Sequence, residues 1–108
     1  MKIIFFGSGG DLLPILSDQG FELEEILTLE DIYSSHSDTI IGADLLVITN
    51  TNDPTGILLC KELNPNIKII VYSQNELSDF LRSQIDFALD PQLFPPALVA
   101  EELSNLFF

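Results

Sequence analysis

The sequence predicts an open, mainly parallel five-stranded α/β sheet with helices on both faces, in a single domain spanning residues 1–108. Three observations carry that prediction. Short apolar runs rich in β-formers alternate with stretches of helical period along the whole chain. Those runs lack polar alternation, as strands covered on both faces do. Helical stretches rather than hairpin turns join them, so the strands pair in parallel through right-handed crossovers.

The elements follow in order. "KIIFF" (2–6) is the first strand. "DLLPILSDQG" reads as a helix capped by Asp11, with Gly20 just past its end and Leu12, Leu13, Ile15 and Leu16 as its apolar residues. Pro14 falls near the third helical position, where the first turn leaves the N–H unpaired anyway. "LEEILTL" (23–29) predicts the second strand, and "EDIYSSHSDTIIG" (30–42) a short helix or a loop with a fragment of strand. "ADLLVITN" is a buried strand. Asp53 and Pro54 then start a helix that runs through "TGILLCKEL" and stops at "NPN". "IKIIVYS" is another buried strand, and "SQNE" has the form of a capping box from Ser73 to Glu76, opening a helix through Leu77, Phe80 and Leu81. "DFALDP" predicts the last strand. "PPALVAEELSNLFF" predicts a terminal helix with Val99, Leu103, Leu106 and Phe107 along one side.

Composition removes whole classes of function. A chain with 46% hydrophobic residues and mean hydropathy +0.32 is globular. Seventeen acids stand against Lys2, Lys61, Lys68 and Arg82, a formal net charge of -13. Such a surface repels phosphate, which argues against nucleic acid and anionic membranes as partners. Cys60 has no second cysteine to pair with and reads as a small core residue. With no signal-peptide core after Lys2 and no apolar run of the roughly 18 residues a span needs, a soluble, cytoplasmic protein is expected. His36 reads as solvated. Glu22, Glu24, Glu25, Glu30 and Asp31 read as a solvated acidic edge rather than a metal site, because a strand sends neighbours to opposite faces. The closing "LSNLFF" either packs within the domain or forms a homodimer face. No catalytic constellation is found, and the chain is expected not to be an enzyme.

In open sheets of this kind ligands lie beyond the carboxyl ends of the strands, where strand order reverses. If the first strand and "LLVIT" are central neighbours, two turns face each other there. Gly7, Ser8, Gly9, Gly10 and Asp11 from one turn, with Thr49, Asn50 and Asp53 from the other, then form the candidate cofactor-binding site. Gly7 and Gly9 match the first two places of a G-x-G-x-x-G fingerprint, whereas Leu12 fills the third and Gly10 falls between. Glu30 is the acid placed to meet a ribose. Phosphate meets opposition, however. Asp11 as cap supplies an anion, and a second anion about 5 Å away is repelled by roughly 1 to 3 kcal/mol for an effective dielectric between 80 and 20. Pro14 removes a donor, and neither turn holds Lys or Arg. The glycine turn is thus either a structural bend or a ligand contact.

"ADLLVITNTNDPTGILLCKELNPNIKIIVYS" followed by "IDFALDPQLFPPALVAEEL" resembles the nucleotide-binding domain of RCK (regulator of K⁺ conductance) proteins, also called TrkA-N. The resemblance implies a Rossmann-like fold, a homodimer, and sensing of NAD(H) or ATP/ADP at Gly7, Gly9, Glu30, Thr49, Asn50 and Asp53. It further implies a potassium channel or transporter subunit as partner. "MKIIFFGSGGDLLPILSDQGFELEEIL" is similar to the amino end of methionyl-tRNA-type formyltransferases. That offers an alternative, an enzyme fragment using the same crevice, although their Asn, His and Asp set does not carry over. Phospho-receiver domains share the alternating topology. A receiver needs an acceptor Asp ending its third strand and a Lys before proline ending its fifth; this chain offers Thr49 or Asn50 and Asp90-Pro91, which implies no phosphorylation chemistry.

Overall fold

The computed structural model describes residues 2–27, 37–51, 54–74 and 79–107. Along these run β1 (Lys2–Phe6), α1 (Leu12–Asp18), β2 (Glu22–Ile26), α2 (Ser37–Ile41) and β3 (Leu45–Ile48). They are followed by α3 (Pro54–Leu63), β4 (Lys68–Tyr72), α4 (Asp79–Arg82), β5 (Phe87–Leu89) and α5 (Pro96–Phe107). The strands form one parallel sheet in the order β2-β1-β3-β4-β5. The chain therefore starts near the centre, steps out to one edge with β2, and returns past β1 to build the other half. The reversal falls between β1 and β3, as the sequence reading required for the two turns to meet.

Alternation along each strand explains why helices cover both faces. Ile3 and Phe5, with Leu45, Val47 and Ile70, pack against Leu12, Leu16, Val99, Ala100 and Leu103 of α1 and α5. Ile4 and Phe6, with Leu46, Ile48, Ile69 and Val71, pack against Ile40, Ile57, Cys60 and Leu81 of α2, α3 and α4. Each such side chain contributes about 1.5 to 3 kcal/mol on burial. Among the described residues no polar or charged side chain is fully buried. Burial also pushes the Cys60 thiol up to about 11, so it stays protonated and inert at neutral pH.

Two connections are tied together by side chains. The Asp44 carboxylate accepts the N–H of Lys2 at 2.9 Å, fixing the approach to β3 against β1. The Asn64 carboxamide, just past α3, donates to the carbonyls of Ile40, Ile41 and Ala43 at 3.0, 3.2 and 2.9 Å. At the base of β5, Asp86 bonds Ile69 twice, through its own N–H and through its carboxylate, each at 2.8 Å.

The ambiguous segment 30–42 contains α2, and Pro54 is the first residue of α3. Glu30, His36, Asp53, Leu77 and Phe108, the Glu76 end of the proposed capping box, and the side chains of Phe80, Leu106 and Phe107 lie outside the described residues. Among the described residues no helix is long and apolar enough to cross a membrane, and no group of His, Cys, Asp or Glu is arranged to hold a metal ion.

Candidate functional site

The ends of β1 and β3 carry the two predicted turns, and β1 has a hydrogen-bonded neighbour on each side to supply groups to them. Gly7 leaves β1 with φ 108°, a conformation that side chains resist. A Cβ there would also collide with the Thr49 hydroxyl and come 2.8 Å from the Asn50 nitrogen. The second turn lies directly on the first. Thr49 and Asn50 both donate their N–H groups to the Phe6 carbonyl, at 3.0 and 3.1 Å, and the Thr49 hydroxyl donates to the Ser8 carbonyl at 2.9 Å. Gly7, Ser8, Gly9, Gly10, Asp11, Thr49 and Asn50 are thus brought together, while Glu30 and Asp53 fall outside the described residues.

An anion does serve the glycine turn, but it is not the residue expected. Asp11 sits at the N-cap position of α1 with helical angles (φ -70°, ψ -15°), and its side chain makes no capping bond. The Leu12 and Leu13 N–H groups turn back instead to the Gly9 and Gly10 carbonyls at 3.0 and 3.3 Å. Glu25, paired across from Phe5 on β2, accepts the Gly9 N–H at 2.9 Å. Sequence reasoning had placed Glu25 on a solvated edge. Only the β1–β2 register reveals that its carboxylate reaches the turn.

Over the turns lies an open depression of about 360 Å³, lined in part by Ser8, Gly10, Asp11, Thr49, Tyr72 and Pro91. Tyr72 donates its hydroxyl to the Phe94 carbonyl at 2.7 Å. Partial burial, then the charges of Asp11 and Asp90, push its phenol above the usual tyrosine range. The depression is therefore electronegative. Its lining includes no Lys or Arg.

A second concavity of about 190 Å³ lies on the α5 side of the sheet between β5 and α5. Phe87, Leu89, Phe94, Val99 and Leu103 line it, and Glu102 is its one charged lining residue. Neither composition nor periodicity singled it out.

A doubly wound sheet in the order 2-1-3-4-5 is the flavodoxin-like arrangement, which CheY also has. The chain belongs to DUF7126, a family of unknown function whose model matches residues 3–103. No curated protein matches it. Among solved structures it is similar to an orphan response regulator of H. pylori, with 19% identity and TM-score 0.74 over 97% of this chain and 94% of that one. It is also similar to a protein described as pilus assembly-related from Burkholderia pseudomallei, with 15% identity and TM-score 0.66 over 97% of this chain and 87% of that one. A CMP N-glycosidase of Clostridium botulinum matches at 13% identity and TM-score 0.65, over 96% and 99% of the two chains.

These findings correct the resemblance to RCK/TrkA-N proteins, and with it the NAD(H) or ATP/ADP sensing and the potassium transport that it implied. The formyltransferase alternative is likewise unsupported. The structure supplies the physical reason that the motif misled. In "ADLLVITN" Asp44 is engaged with Lys2, and in "KELNP" Asn64 holds the carbonyls before β3. Both hold backbone within the fold of this chain, so neither is evidence of a ligand site.

Proposed function

We propose that this domain is a phosphorylation-independent interaction module, a receiver-like fold that acts by presenting a surface to other proteins and performs no chemistry at its switch point. The bond from Gly9 N–H to the Glu25 carboxylate carries this reading, because an internal anion holds the donor that a phosphoryl group would need. The surrounding groups agree with it. Thr49 and Asn50 follow β3 where a receiver has its acceptor Asp, and the Thr49 hydroxyl is committed to Ser8. Asp90 follows β5 where a receiver has Lys, and reverses the charge there. A phosphoryl group entering the depression would meet Asp11 with no lining cation to offset it. Similarity to a response regulator supports the fold on which the reading is built.

The test is incubation with acetyl phosphate and Mg²⁺, followed by intact mass measurement, together with an ATP titration followed by amide NMR. The expected outcome is no phosphoryl adduct and no saturable shift at Gly9, Asp11 or Thr49. A stoichiometric adduct, or saturable shifts at those amides, would overturn the reading.

A further inference from the structure

We propose that the groove between β5 and α5 receives one large apolar side chain from a partner protein segment whose flanking residues are Lys or Arg. This rests on the reading of the domain as an interaction module and names its surface and the chemistry of its partner. The groove has the right size: about 190 Å³ is room for a Leu, Met or Phe side chain, since a cavity of about 150 Å³ lined by such residues accommodates benzene. It also lies beside exposed apolar surface. Phe87, in its wall, is 52% exposed.

The strand itself adds a second mode of contact. Among the described residues β5 is the edge of the sheet, bonded only to β4, and its three residues "FAL" carry no charge. An extended segment can lie along such an edge while alternate side chains enter the groove.

Charge decides the occupant. Glu102 lines the groove, is exposed, and is its one charged lining residue. None of the four cations of the chain lines it, and the chain as a whole is at -13. Lys or Arg beside the apolar anchor complements Glu102 and the negative charge of the chain. A second copy does not, because it would bring a further Glu102 and a second chain of -13 to the groove instead of a cation.

The experiment titrates the full ¹⁵N-labelled chain with a short synthetic peptide bearing one Leu between lysines. Saturable shifts are expected at Phe87, Leu89, Val99 and Leu103. Changing the peptide Leu to Ala should weaken binding at least about tenfold, as loss of one buried apolar side chain does. Glu102→Gln should weaken it about two- to fivefold and flatten its salt dependence, as loss of one exposed ion pair does. Because Glu102 is exposed, that variant tests the charge argument while leaving the apolar groove wall as it is.

Equal binding of a peptide with Glu in place of Lys would overturn the proposal. So would shifts confined to the Glu-rich β2, or groove shifts produced by raising protein concentration without peptide. Absence of any shift would overturn the groove assignment alone. A phosphoryl adduct in the acetyl phosphate experiment is the separate result that removes the interaction reading beneath it.

Discussion

The crevice at the ends of β1 and β3 and the groove beside β5 belong to one sheet, yet they treat their surfaces in opposite ways. The crevice carries polar groups that bond to one another: Glu25 to Gly9 and Thr49 to Ser8. The groove is apolar and leaves Phe87 and Leu89 accessible along an edge. Position explains the contrast. β1 has a strand on each side, one supplying Glu25 and the other Thr49, whereas among the described residues β5 has only β4. A concavity at the centre of a sheet can be satisfied by its neighbours, and one at the edge must be completed from outside.

The contrast breaks most severely at Gly7. Gly7→Ala should cost about 3 kcal/mol or more in denaturant unfolding, since it combines a strained φ with a collision against the second turn. A loss below about 1 kcal/mol would show that the two turns can separate freely. Glu25→Ala, which leaves the Gly9 N–H without its carboxylate, should cost about 1 to 2 kcal/mol by the same measurement. If the stability is unchanged, the anion is not holding the turn.

Alkaline titration sharpens the comparison more gently. With Tyr33→Phe to remove the other tyrosine, phenolate absorbance should show Tyr72 ionising above the usual value, and Asp11→Asn should bring it down. Because its folded pKa is raised, the contribution of Tyr72 to stability is complete below the unfolded value near pH 10 and is lost as pH rises through the folded value. The smallest effect is expected at the groove. Phe87→Asp should change stability by no more than about 0.5 kcal/mol, because the side chain is already half in water. A large loss there would mean that Phe87 supports the fold rather than an outside contact.

The sheet was legible in the sequence because strands buried on both faces must be apolar throughout, as "KIIFF" and "LLVI" are. The facing of the two turns was legible from the rule on strand reversal. Glu25 was not, because an acid on an edge strand looks solvated until the Phe5–Glu25 register sets it beside the glycine turn. The groove was hidden for a different reason. Phe94 belongs to "PQLFPP", which has no periodicity, and it meets Phe87 and Leu103 only once β5 and α5 are packed. The nucleotide reading failed where structural joints, Asp44 and Asn64, looked like the marks of a ligand-binding family.

Asn64 has a consequence for motion. Its single carboxamide grips three carbonyls between the end of α2 and the start of β3, so the exit from α3 and the approach to β3 are mechanically one piece. Opening either connection is expected to break the Asn64 bonds to the other. In native-state hydrogen exchange the amides of Ala43 and Ile67, bonded to Ile40 and to Asn64 itself, should behave as one unit with a common opening energy, although 24 residues separate them in sequence.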